Sequence, residues 1–314
     1  MPKKVALVLS SGGARGLAHI GVIERLVEEG YQISSISGSS IGAVIGAFYA
    51  CGKLDLYKKW VLELERLDLF KLFDFTFSVQ GFIRGEKVFN ELQKIIPDVN
   101  IEDMDIPFVA VATDAKAKQE VVFKKGSMYK ALRASTAIPT VLKPLCIDGM
   151  ELIDGGVSNP IPVDKVKRND GDILIVSNVN ANIPYEPQIA PIKVEAETNS
   201  YEKKLNDFLN KWGKLLPGSS TATKKLGFFD LLNRSIDMMQ DKLTTVILDK
   251  YQPDILINVS SDACSTFEFY KAKEIIEAGR EAFDKCWEKT NKAVLSSDLT
   301  YQKSLANERL SGDS

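Results

Sequence analysis

The chain has 314 residues, enough for one large domain or a core with a subdomain. Hydrophobic residues make up 45% and charged residues 26%, the balance of a globular protein, and a formal net charge of -2 offers no basic surface for nucleic acid. Four cysteines, Cys51, Cys146, Cys264 and Cys286, stand far apart without a C-x-x-C pair, so they read as reduced thiols rather than a zinc or disulfide framework.

The chain opens on Met1-Pro2-Lys3-Lys4 and a short apolar run at 5–9. That run is too short for the core of a signal peptide and reads as a buried first strand. Apolar runs of the same kind recur at 33–36, 108–112, 120–123, 172–176 and 254–259. They predict strands buried on both faces of a mainly parallel sheet. Helical patterns fall between them at 17–29, 41–51, 54–67, 86–96 and 267–287, with Gly30 and Gly52 as C-terminal stops. This alternation predicts an α/β layered fold, whose active loops gather at the carboxyl ends of the strands.

Residues 145–153 predict a hairpin turning at Asp148-Gly149. An aromatic stretch at 70–82 (Phe70, Phe73, Phe75, Phe77 and Phe82) reads either as the lining or lid of an apolar cleft or as plain core. Residues 181–225 are polar and loop-like. Within them, 201–216 put Leu205, Phe208, Leu209, Trp212, Leu215 and Leu216 on one helical face, with lysines elsewhere. Such a stripe suits a membrane interface or packing on the domain or a second subunit. The tail at 296–314 is polar and expected to fray. No run approaches transmembrane length. These features place the chain in the cytoplasm, with peripheral contact at the inner membrane face left open and no oligomeric state specified.

Chemistry concentrates in three loops. Ser37-Gly38-Ser39-Ser40-Ile41-Gly42 is Gly-x-Ser-x-Gly where a strand gives way to a helix. Gly38 and Gly42 lack the Cβ that would clash in so sharp a turn, and a helix N-terminus points at the Ser40 hydroxyl. Ser40 is therefore a candidate nucleophile. Ser10-Ser11-Gly12-Gly13-Ala14-Arg15-Gly16 follows the first strand and allows backbone N–H groups to converge on an anion. A dinucleotide fingerprint would need glycine where Ser11 stands and an acidic residue ending the second strand, so an oxyanion hole fits this loop better than a nucleotide site. Arg15 would add a fixed positive charge beside it.

His19 is the single histidine, on the first helix, and reads as a packed or capped residue. A multi-histidine metal site is impossible, and the base for Ser40 is expected to be another group. Asp154-Gly155-Gly156 ends the hairpin and supplies the candidate. An aspartate facing Ser40 could take its proton directly, provided that burial lifts its pKa from about 3.9 toward neutrality. Ala134-Ser135-Thr136-Ala137-Ile138-Pro139 reads as a helix or turn closing against the site, or as ordinary packing.

These elements, in this order, resemble the patatin-like phospholipase family, in its bacterial branch similar to neuropathy target esterase. The family's G-G-G-x-[KR]-G loop matches at Gly12, Gly13, Arg15 and Gly16, with Ser11 departing at the first glycine. The nucleophile motif matches at Gly38, Ser40 and Gly42, the D-G-[AG] motif at Asp154, Gly155 and Gly156, and the A-S-x-A-[IF]-P motif from 134 to 139. The resemblance covers roughly 4–166. It implies a three-layer α/β/α sandwich with a mainly parallel central sheet. It also implies hydrolysis of phospholipid or lysophospholipid acyl esters by a Ser40–Asp154 dyad, without metal or cofactor. The oxyanion would be held by N–H groups of Gly12, Gly13 and Ala14 or Ile41. On this reading 1–168 form the catalytic core, and 169–314 complete the same domain, with an insert at about 181–250. A thioesterase or acyltransferase using the same pair, and a regulatory protein keeping the fold, are the alternatives.

Overall fold

A computed structural model describes residues 3–65, 86–139, 141–185 and 228–289. The aromatic stretch at 70–82, the amphipathic stretch at 201–216 and the tail at 296–314 lie outside the described residues. Met1–Tyr185 with Leu243–Ser314 make one compact unit and Glu186–Lys242 a second.

The first unit is organised by strands that are apolar on both faces. In β1 (Lys4–Leu9), Val5, Leu7 and Leu9 point into one buried cluster, and Ala6 and Val8 into another. This is the two-residue alternation of a strand covered on both sides. The first cluster holds α1 (Ala18–Glu28), α2 (Ile41–Ala50), α3 (Leu54–Leu62) and the C-terminal helix over 272–289. The second is closed by Ile161, Val163 and the residues Ile247, Leu248 and Tyr251 of the helix Phe228–Tyr251. Among the described residues, no helix is long and apolar enough to cross a membrane.

Five strands lie side by side in parallel. β2 (Gln32–Ser39) and β7 (Ile173–Ala181) flank β1, β3 (Phe108–Asp114) lies beyond β2, and β8 (Ile255–Ser260) beyond β7. Three antiparallel strands complete the sheet: β4 (Gln119–Phe123) on β3, β6 (Met150–Asp154) also on β3, and β5 (Leu145–Ile147) on β6. The predicted mainly parallel sheet with flanking helices is the observed architecture. The predicted turn at Asp148 and Gly149 has φ of 51° and 79°, as a two-residue hairpin turn of the mirror-image type requires.

One feature of the pairing positions the chemistry. β4 occupies one side of β3 along Ala110–Asp114. The other side is shared: β2 pairs with it up to Ser39 opposite Val111, and β6 pairs with its remainder, with Asp154 opposite Ala112. β2 is parallel to β3 and β6 antiparallel, so the two run head-on and their carboxyl ends meet at adjacent rungs. Residues 114 positions apart are thereby brought to neighbouring places on the sheet.

Candidate active site

β2 ends at Ser39, and α2 begins at Ile41. Ser40 makes the turn between them at φ 54° and ψ -124°, in the left-handed half of backbone space that few L-residues occupy. The turn packs so tightly that a Cβ on Gly38 would lie 2.4 Å from the Gly42 carbonyl group, and one on Gly42 would lie 2.3 Å from the Leu9 carbonyl oxygen. Ser40 Oγ donates to Asp154 Oδ2 at 2.6 Å, and each residue is only 5% exposed. The other carboxylate oxygen, Oδ1, accepts the Gly156 N–H at 2.7 Å. Gly155 fits beneath, where a Cβ would meet the Val111 carbonyl oxygen at 2.1 Å. Burial pushes the Asp154 carboxyl up to about 6, against the opposing pull of the Ser40 and Gly156 hydrogen bonds. Asp154 thus holds an acceptor on a serine hydroxyl in the pH range where it gains and loses a proton.

The glycine loop leads from β1 into a 3-10 turn at Gly13–Leu17 and on to α1. Gly13 has φ 57° and lies against Thr266, whose carbonyl oxygen a Cβ would meet at 2.6 Å. Gly16 packs on the Ile41 side chain. Ser11 stands outside the positive-φ residues, so serine at the first glycine position costs no strain. Its N–H donates to the Pro160 carbonyl at 2.8 Å. Of the anticipated oxyanion donors, Ala14 is a correction: its N–H is committed to the Thr266 carbonyl at 2.8 Å. Arg15 is tied by Nε to Asn180 Oδ1 at 3.0 Å. The N–H groups of Gly12, Gly13 and Ile41 have no acceptor among the described residues. Ile41 opens α2, whose first N–H groups have no partner within the helix.

The sequence profile described as Patatin-like phospholipase matches residues 7–167, which include Ser40, Asp154 and the glycine loop. The chain belongs to the patatin-like phospholipase family. An uncharacterised NTE family protein of Mycobacterium tuberculosis is 34% identical over 327 residues, spanning 88% of this chain and 89% of that one. Patatin-like phospholipase domain-containing protein 6 of Homo sapiens is 31% identical over 220 residues, 68% of this chain and 15% of the human protein. The solved structure of VipD from Legionella pneumophila aligns with 91% of this chain and 67% of its own, at 15% identity and a TM-score of 0.44. At the level of the family, the activity is hydrolysis of lipid esters.

In this patatin-like protein the serine opens into an apolar cavity of about 870 Å³, counting its open mouth. Gly13, Ser40 and Ile41 line it together with Val44, Tyr57, Trp60, Val88, Phe89, Leu92, Ile138 and Leu142. Thr266, Phe267 and Phe269 complete it from beyond the family-matched residues. Sequence reading missed Phe267 and Phe269 because 267–287 carries a helical pattern, and Thr266 because it precedes that pattern without a motif. The helix in fact starts at 272. Glu268 closes the preceding turn by accepting the Ser265 N–H at 2.9 Å, accepts the Tyr270 hydroxyl at 2.7 Å, and pairs with Lys271 at 2.9 Å.

His19 is fully buried, and both its ring nitrogens are engaged by groups other than Ser40 and Asp154. Its Nε2 lies 3.0 Å from the Ser10 carbonyl, which can only accept, so Nε2 carries the proton and Nδ1 accepts from the Ser177 hydroxyl at 2.8 Å. Burial holds the imidazole down at about 4, hence neutral at pH 7. His19→Ala is expected to cost about 2–4 kcal/mol, because a carbonyl and a hydroxyl are left buried without partners. Urea unfolding should show that loss, while ester hydrolysis per folded molecule stays at the wild-type rate. A collapse of the rate in folded protein would make His19 the missing base.

Proposed function

We propose that this chain is a serine carboxylic-ester hydrolase of phospholipid or lysophospholipid acyl esters, working through a Ser40–Asp154 dyad and an acyl-serine intermediate. The observation that carries the reading is the 2.6 Å hydrogen bond from a strained, buried serine to a carboxylate, in the lining of an apolar cavity.

Asp154 Oδ2 takes the proton as Ser40 Oγ attacks the ester carbonyl. The carbonyl oxygen becomes an oxyanion, for which the N–H groups of Gly12, Gly13 and Ile41, without an acceptor among the described residues, are the donors, a preformed set that costs no reorganisation during the reaction. When the carbon–oxygen bond breaks, the alcohol leaves with the proton held by Asp154. Water then gives a proton to Asp154 and attacks the acyl-Ser40 carbonyl. Collapse releases the fatty acid, and the Asp154 proton returns to Ser40. The acyl chain occupies the cavity, where each buried methylene contributes about 0.8 kcal/mol.

The test is hydrolysis of p-nitrophenyl esters from two to sixteen carbons and of lysophospholipids. The reading expects activity that rises with chain length, and no hydrolysis of any member would overturn it. Two further results are expected. The rate constant kcat/KM should climb as pH rises through about 6 and level off above 7, because only ionised Asp154 accepts the serine proton. A profile that stays flat down to pH 4.5 would contradict this. Val88→Trp should fill part of the cavity from a half-buried position on the helix Glu86–Ile95. Displacing two or three methylenes costs about 2 kcal/mol, so kcat/KM for hexadecanoyl over butanoyl esters should fall roughly thirtyfold. An unaltered ratio would remove the cavity from the reaction.

A further inference from the structure

We infer that residues 135–137 form a bracket that holds Ser40 and Asp154 in register, with Ser135 as a positioning residue. The inference rests on the proposed dyad. Helix Met128–Ser135 ends against the site, and its last residue and the turn that follows accept the main-chain N–H of the two partners. The Ser40 N–H donates to Ser135 Oγ at 2.9 Å, and the Asp154 N–H donates to the Ala137 carbonyl at 2.9 Å. The two acceptors are two residues apart, whereas their donors are separated by 114.

Each bond fixes something that the sheet leaves free. Ser40 lies past the last rung of β2, in a backbone region that must be held by its surroundings. Its N–H belongs to no strand ladder and precedes the helix, and Ser135 is 0% exposed, so no water replaces the hydroxyl. Asp154 is the last residue of β6, and its own carbonyl is held by the Thr113 hydroxyl at 2.9 Å. The bracket is itself stiff. Thr136 donates to the Leu132 carbonyl through both its N–H, at 3.0 Å, and its hydroxyl, at 2.8 Å. The Ile138 N–H donates to the Thr136 carbonyl at 2.8 Å. Thr136 and Ile138 also line the acyl cavity, so the surface that meets substrate is the turn that sets the spacing of the two reacting side chains. Ser135 acts on the reaction through the Ser40 backbone.

The test compares wild type with Ser135→Ala, Ser135→Cys and Ser40→Ala on a butanoyl ester. Active sites are counted by burst titration with an organophosphonate, so misfolded protein does not enter the rate. Ser135→Ala should lower kcat per titrated site by about ten- to a hundredfold, the scale of a misplaced reacting group, with KM within about twofold. The midpoint of its pH profile should move above the wild-type value, because a looser Ser40 bond withdraws what holds the Asp154 proton affinity down. A fold defect alone would lower the number of titrated sites and leave both readings in place. Ser135→Cys keeps the shape with a weak acceptor and should fall between the two; it carries the test if the alanine chain does not fold. Wild-type kcat and midpoint in the folded Ser135 variants, with Ser40→Ala inactive, would overturn the bracket and leave the dyad standing. Wild-type activity in Ser40→Ala would overturn the dyad itself.

Discussion

Ser40→Ala is expected to reduce kcat/KM for acyl esters by about 10⁴-fold or more, while the protein stays folded. Removing a nucleophile that works with its base as a unit costs nearly everything the unit supplies, and the residue left is binding and oxyanion stabilisation. Here the proposed source of that residue is the Gly12, Gly13 and Ile41 N–H groups and the apolar cavity, and the substitution removes an atom from none of them. The methyl group fits at φ 54° as well as the serine Cβ does. Steady-state kinetics on a soluble ester, with circular dichroism alongside, checks this. A loss of less than tenfold would show that another group attacks the carbonyl.

Asp154→Asn is expected to separate activity from stability. The amide cannot accept the serine proton, so the rate should fall by about 10³–10⁴-fold. Stability should move the other way. The buried carboxyl has a folded-state pKa of about 6 against an ordinary 3.8, so folding at pH 7 carries the cost of burying its charge, on the order of 2–3 kcal/mol. Asparagine is neutral, can still accept the Gly156 N–H, and can turn its NH₂ to Ser40 Oγ. A raised acid pKa means that the folded chain takes up its proton before the unfolded chain does. The cost is therefore full above about pH 6 and gone below about 3.8, and the gain from Asp154→Asn should follow the same window. Denaturant unfolding at pH 7.5 and pH 4 measures it. A gain as large at pH 4 as at pH 7.5, or lower stability at both, would contradict the assignment of burial as the cause. His19 supplies the opposite slope, since its folded pKa of about 4 lies below 6.5 and stability falls as pH drops between those values. In wild type the two slopes oppose each other between pH 6 and 4. The Asp154→Asn chain should lose stability on acidification more steeply there than the parent does.

Much of this architecture was legible because the buried strands are short apolar runs that satisfy both faces at once, as in β1 and β3, and because Gly38 and Gly42 mark a turn that no side chain could enter. The end of β7 was not. Val176-Ser177-Asn178-Val179-Asn180 looks like a strand giving way to a polar loop, but the strand continues to Ala181. Its polar side chains are spent on neighbours: Ser177 on His19, Asn178 on Asn258 at 3.1 Å, and Asn180 on the Ser11 carbonyl at 2.7 Å. Polarity there reports the anchoring of the glycine loop and not solvent. The helix Met128–Ser135 was seen only at its last residues, since it is eight residues long and Arg133, polar in the sequence, is buried with Met128, Tyr129, Ala131 and Leu132. The head-on meeting of β2 and β6 on one side of β3 has no local signature, because register is a property of pairs of strands. The pairing of Ser40 with Asp154 came instead from the lone His19, the poised serine and the order of the motifs. The commitment of the Ala14 N–H to Thr266 was hidden for a similar reason: its acceptor lies some 250 residues onward, in a turn with no motif.

The most direct measurement is covalent capture of the nucleophile. A p-nitrophenyl alkylphosphonate, which presents phosphorus where the ester carbonyl would sit, is reacted with the full chain, and the adduct is located by peptide mass spectrometry. The account predicts one adduct, on Ser40, formed with release of one p-nitrophenol per folded chain and slowed at least a hundredfold in Asp154→Asn. An adduct on any other residue, or capture that proceeds at the parent rate without the Asp154 carboxylate, would contradict it.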